Sequence, residues 1–249
     1  MICRSHICFK TPLAARAVVL GCLPLMAASI TGKVELRDSK NAAVRGKKDF
    51  SSVVVWLEAA DGKALVAPAG RARMIQKDKT FTPHVLAVTV GTTIDFPNYD
   101  PIFHNAFSNY DGQFDVGLYP PGTSRSVRFK RAGTVRVFCN IHAAMSAVIA
   151  VLPTPYFDTS KKDGGFEIPR VAPGEYWLRV FHEHATAETL DALARRLSVG
   201  ADALALNNIV LPAIVISESG YRELPHQNKY GRDYAAEPDD RGAYPAVRK

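Results

Sequence analysis

The sequence predicts an all-β fold. Three observations carry that reading: short runs rich in Val, Ile, Phe and Tyr, the Gly, Pro and Asp residues that punctuate them, and a single stretch with helical spacing. In chain order the strand signals are 30–36, with Val34 and Leu36, and 52–58, built around Val53-Val54-Val55-Trp56-Leu57. The run 85–90 follows Pro83 and stops at Gly91, and 126–129 ends on Phe129. Next, 134–138 is opened by Gly133 and leads into Cys139, and 147–152 is its apolar successor. Asp163-Gly164 introduces 165–168, and Pro173-Gly174 introduces 176–181. A last pair covers 206–211 and 213–217. The exception is 186–197, where Leu190, Leu193 and Leu197 repeat at helical spacing and Gly200 is a stop, which predicts one short helix.

At 249 residues the chain suits one large domain or two of ordinary size. A hydrophobic share of 47% against 22% charged excludes wholesale disorder. Arg4, Lys10 and Arg16 form a basic lead, 17–28 is uncharged and mostly apolar although broken by Pro24, and Ala27-Ala28-Ser29 offers small residues for cleavage. Residues 1–29 are therefore expected to be a secretory signal peptide, too short to span a bilayer. A lipoprotein reading at Cys22 has only about five apolar residues before it, short of the ~7–15 of a signal core. Without the leader, 28 basic residues face 24 acidic ones, a balance of +4 with no dense Lys/Arg run, which argues against nucleic acid as a partner. No later segment reaches membrane-spanning length without a charge, so the expected location is the periplasm.

On that reading, export removes Cys3, Cys8 and Cys22 and makes Cys139 the sole thiol of the mature chain. Thiols of oxidising compartments usually pair. A buried small hydrophobe is the plain reading of this one, and an occupied sulfur is the sharper one. Cys139-Asn140-Ile141-His142-Ala143-Ala144-Met145 places a thiolate, an imidazole and a thioether on one short run. Zinc rarely takes a thioether, and calcium or magnesium takes none of the three; copper accepts all of them. A trigonal copper site with a weak axial Met needs a second His. His104 stands in the turn-rich segment Phe96-Pro97-Asn98-Tyr99-Asp100-Pro101-Ile102-Phe103-His104-Asn105. His84 competes, but it opens a strand where a side chain is more readily packed or solvated. His182 and His184 flank Glu183 and share one face. They suggest a second metal site, yet no third donor is identifiable from sequence, and exposed strand-end residues are the plainer reading.

The Cys-x2-His-x2-Met spacing, preceded by Phe-x-Asn-x-Asp and His104-Asn105, resembles the cupredoxin family, amicyanin- and plastocyanin-like members above all. Lys79-Thr80-Phe81-Thr82-Pro83, Gly91-Thr92-Thr93-Ile94-Asp95-Phe96 and Gly133-Thr134-Val135-Arg136-Val137-Phe138 fit the same pattern, and the likeness covers roughly 70–153. It implies a Greek-key β-sandwich holding one type 1 copper, with His104, Cys139 and His142 equatorial and Met145 axial. It further implies that the Asn105 backbone hydrogen-bonds the ligand sulfur while its side chain ties the two ligand loops together. Phe103, Phe107, Phe138 and Pro101 are candidates to exclude water, or ordinary core. No substrate pocket or general base is evident nearby, so the expectation is a carrier and not an enzyme.

The segments 31–36 and 53–57 resemble the opening strands of transthyretin-like, carboxypeptidase-regulatory-type sandwiches, and 158–168 with 171–178 resembles their closing hairpin. The expected organisation is a signal peptide over 1–29, a first half-sandwich over 30–69, a copper domain over 70–153 inserted in or joined to that sandwich, a second half-sandwich over 154–224 and an extended tail over 225–249; the alternative is that 30–66 simply extends one larger sheet. For that tail Tyr221, Tyr230, Tyr234 and Tyr244 are candidate anchors to a partner, with solvent exposure the plainer reading. Two function classes follow. One is a periplasmic blue-copper shuttle docking briefly with a dehydrogenase or c-type cytochrome; the other is a non-redox copper-handling or protein-binding sandwich.

Overall fold

The structure, a computed structural model, describes residues 27–65, 67–109, 112–200, 208–222 and 226–234. The expected leader up to residue 26, with Cys22, lies outside the described residues, as do Leu206, Tyr244 and the tail from 235 onward. Among the described residues the elements are β1 (Ala28–Arg37), α1 (Ala42–Lys47), β2 (Val54–Ala59), β3 (Arg71–Arg73), β4 (Ile75–Lys77), β5 (Thr80–Thr82), β6 (Val85–Thr89) and β7 (Thr93–Pro97). They continue with β8 (Phe107–Ser108), β9 (Phe114–Asp115), β10 (Ser124–Arg128), β11 (Gly133–Phe138), β12 (Ser146–Leu152), β13 (Phe157–Thr159) and β14 (Gly165–Val171). Then come β15 (Gly174–Phe181), α2 (Ala187–Ala192), β16 (Arg195–Val199), β17 (Asn208–Val210) and β18 (Ile214–Ser217). The chain is an all-β sandwich protein, as its composition predicts.

Four sheets stack as layers. The first is β14-β1-β17, with β18 continuing along β1, and the second is β13-β2-β15-β16. The third is β6-β12-β11-β8-β9, and the fourth is β10-β7-β3; β4 and β5 form a small separate hairpin. One core fills the space between layers one and two, with Ile30, Val34, Leu57, Ile168, Leu178 and Ile216 fully or almost fully buried. A second core, around Ile94, Phe96, Val137 and Ile149, fills the space between layers three and four. The alternation of strand side chains explains why β12 is apolar throughout. Ala147, Ile149 and Val151 point into the second core, whereas Val148, Ala150 and Leu152 meet Val54 of β2 across the gap between layers two and three. Each fully buried large aliphatic side chain in that gap contributes about 1.5–3 kcal/mol, which keeps the middle layers in contact.

Several expectations need correction. The helix over 186–197 ends at Ala192. Thr186 caps it by accepting from the Thr189 amide at 3.2 Å, but from Arg195 the chain pairs with the edge of β15, placing Leu197 opposite Tyr176. An open strand edge offers unpaired backbone groups, and this outcompetes helical spacing. The second helix, α1, has only Val44 buried and so gives no periodic signal; Asn41 caps it through the Ala43 amide at 2.8 Å. β14 and β15 do not form the expected hairpin: β14 pairs with β1 and β15 with β2. Arg170, at φ 56°, adopts the left-handed conformation just before the corner that carries the chain between layers. β1 starts at Ala28, inside the segment assigned to the leader, because Ala28 is fully buried and pairs with Val171.

Candidate metal centre

The hairpin β11–β12 is paired from Gly133 opposite Val151 to Phe138 opposite Ser146. Residues 139–145 are therefore its closing loop. The Cys139 amide donates to the Met145 carbonyl at 3.0 Å and the Met145 amide to the His142 carbonyl at 3.1 Å, which folds the loop back on itself. β8 joins the same sheet through Phe107 opposite Phe138 and brings the β7–β8 connection alongside. There His104 exchanges backbone hydrogen bonds with Tyr119, at 3.2 and 2.9 Å. Two separate turns are thus fixed at one end of the sandwich.

Their side chains converge. His104 Nδ1 lies 3.8 Å and His142 Nδ1 3.5 Å from Cys139 Sγ, and the two rings are 4.9 Å apart between centroids. Cys139, His104 and Met145 have no exposure and His142 only 2%. Met145 belongs to the same core as Cys139. Burial pushes the Cys139 thiol up, while the amides of Ile141, Asn105 and His142 pull the other way by hydrogen-bonding the sulfur. His84 is not part of the group: its ring nitrogens meet Ser146 O at 3.1 Å and Glu183 Oε1 at 2.7 Å.

The outer contacts orient the rings. His104 Nε2 is 2.6 Å from Asp100 Oδ2, and the same carboxylate accepts from the amides of Asp78 and Lys79 at 2.6 and 2.9 Å. Burial works against ionisation of Asp100, but the Lys79 amide, the His104 ring and the Asp78 amide outweigh it and hold the carboxyl below its ordinary range. A carboxylate on one imidazole nitrogen leaves the other nitrogen's lone pair for a metal. The sequence shows Asp100 only as part of a motif; its place four residues before His104 is the available sign of this role. Asn105 behaves as expected at its backbone, but its side chain goes to Asp115 Oδ1 at 2.8 Å and not to the Cys139 loop. Phe107 and Phe138 are buried, whereas Phe103 and Pro101 are exposed and exclude little water.

Residues 226–234 correct the picture of a solvent-exposed tail. The His226 ring stacks on Phe138 at 4.0 Å and its Nε2 donates to the Ala143 carbonyl at 2.8 Å. Tyr234 Oη donates to the Cys139 carbonyl at 2.9 Å, and the Lys229 amide donates to Asn140 Oδ1 at 3.0 Å. Lys229 Nζ also pairs with Asp115 at 2.7 Å. This strap covers the donor loop, and because its contacts are polar and irregular, no periodicity announces it. Tyr230 stays 70% exposed.

The side chains brought together fit a soft, redox-capable ion: one cysteine sulfur and two imidazoles, with the Met145 thioether in the same buried core, suit copper better than any hard cation. The two-layer unit that carries it has a cupredoxin-like fold. No family profile matches the sequence, and no curated protein matches it. Among solved structures, a purple cupredoxin from Nitrosopumilus maritimus is 21% identical, over 32% of this chain and 99% of its own, with a TM-score of 0.31. A variant of amicyanin in its reduced Cu(I) form is 20% identical, over 39% of this chain and 91% of its own, with a TM-score of 0.32. A copper-containing nitrite reductase from Thermus scotoductus is 26% identical, and the match covers 38% of this chain but only 25% of the reductase, with a TM-score of 0.32.

Proposed function

We propose that the protein is a periplasmic type 1 copper electron-transfer protein, a carrier of single electrons and not an enzyme. The observation that supports this best is the convergence of two imidazole Nδ1 atoms on the buried Cys139 sulfur, at 3.8 and 3.5 Å. His104, Cys139 and His142 would hold one copper ion, with Met145 as the weak axial donor. Bound there, copper supplies a one-electron couple between its two common oxidation states.

The chain's own contribution is rigidity. Asp100 fixes the His104 ring, the amides of Ile141, Asn105 and His142 fix the sulfur, and the β11–β12 ladder fixes the loop. Donors held in place beforehand need little rearrangement when charge changes. Near-complete burial keeps substrate and bulk water away from all of them. The partners proposed are a dehydrogenase and a c-type cytochrome, docking through a small interface of under ~1,200 Å².

The test is the absorption spectrum of the protein loaded with Cu2+. An intense visible band from thiolate-to-copper charge transfer is expected, and Cys139→Ser is expected to remove it while the protein stays folded. A colourless loaded protein, or a blue Cys139→Ser variant, would refute the assignment.

A further inference from the structure

Three donors that the Cys139 centre does not use meet at the far end of β15. His182 Nε2 lies 2.9 Å from Glu218 Oε1, and both residues are nearly fully buried. The His184 ring faces His182 edge-on at 5.5 Å and is about one-third exposed. One donor atom from each residue lies within 4.8 Å of the other two. The sequence offers the two histidines without a third donor; the third comes from the residue that follows β18, in the opposite layer.

Each donor is held from behind. Ser39 Oγ donates to Glu218 Oε2 at 2.7 Å, and the Glu218 amide is tied to the Arg37 carbonyl at 3.0 Å. The Ala185 amide closes the turn onto the His182 carbonyl at 3.2 Å. Glu183 accepts from His84 at 2.7 Å and comes within 3.6 Å of His184 Nε2. Burying a carboxylate beside imidazole costs desolvation that the hydrogen bonds from His182 and Ser39 repay only in part, whereas a cation between the layers adds three metal–ligand bonds.

We propose that His182, His184 and Glu218 form a second metal site, for a divalent ion of borderline character such as Zn2+, which pins layer one to layer two. Two imidazoles and one carboxylate without sulfur are a common zinc set, with a remaining position for water. Calcium and magnesium call for oxygen donors and fit poorly. The exposed edge of His184 is the way in. This site stands on its own residues and does not depend on what Cys139 binds.

The test uses the Cys139→Ser protein, so that thiolate binding cannot contribute, and the same protein carrying His184→Ala in addition. His184 is outside the apolar cores, so its removal leaves them intact. Equilibrium dialysis against Zn2+ is expected to show one equivalent whose affinity falls more than ~100-fold with His184→Ala. Ser39→Ala, which removes the hydroxyl on Glu218, is expected to cost about 10–100-fold. Co2+ in place of Zn2+ is expected to give ligand-field bands that disappear with His184→Ala, and Zn2+ is expected to raise the Tm of the first protein but not of the second. No uptake by the Cys139→Ser protein, or uptake and Co2+ spectra unchanged by His184→Ala, would overturn the site.

Discussion

The two donor clusters are built in opposite ways. Around Cys139, three of the four side chains sit on one hairpin loop whose ends are fixed by the β11–β12 ladder, and only His104 arrives from elsewhere. Around His182, a turn after β15 supplies two donors and the opposite layer supplies the third. The first cluster is covered by the strap 226–234; the second stays open at His184. A site made by one loop survives small shifts between layers, whereas a site made across a layer junction reports on that junction.

Substitutions that act on only one of the two sharpen this contrast. The largest effect is expected from Ile216→Ala, which empties a fully buried position in β18 just ahead of Glu218. It should cost about 2–5 kcal/mol in denaturant unfolding and weaken Zn2+ uptake, while the copper absorption band remains. Loss of both signals in a folded protein would show that the clusters are not independent.

Next in size is Asp100→Asn, which removes the charged partner of His104 Nε2. Copper affinity should fall about 10–100-fold in competition with a chelator, with Zn2+ uptake unaltered. Tyr234→Phe removes the hydroxyl that reaches the Cys139 carbonyl and should cost about 1 kcal/mol, read as faster amide exchange across 226–234. Unchanged exchange would mean that the strap is held elsewhere.

The smallest expected effect is on pH dependence. The Arg71 guanidinium, then the Ser126 hydroxyl, hold the Asp95 carboxyl below its ordinary pKa. A depressed carboxylate stabilises the fold above its unfolded pKa, and that contribution is lost as pH falls through the lower folded value. Asp95→Asn should therefore reduce stability at neutral pH and flatten the decline below about pH 3.8. It should leave both clusters untouched, since the Asp95 carboxylate is held by Arg71 and Ser126 and by none of the residues of either cluster. An unaltered acid limb in urea titrations would argue against the role of this pair.

Much of the Cys139 centre is legible in the sequence because its donors fall on one short run whose chemistry is distinctive in any context. Strand positions are legible for the same local reason: apolar residues packed against a sheet leave a dense signal, as along 147–152 and 176–181. Glu218 is not legible, since a lone glutamate after a strand carries no mark of the imidazoles it will face. Leu197 misleads because its spacing from Leu193 fits a helix, and only the unpaired edge of β15 makes it a strand residue.

Local chemistry, then, determined the all-β composition, the run that carries Cys139, His142 and Met145, and the hairpin that presents it. The stacking order decided the rest: which layer faces which, that 226–234 folds back over Cys139, and that Glu218 reaches His182. Bonds between neighbours in the chain are written into the residues themselves, but contacts between distant segments exist only once burial of apolar faces has brought the layers together.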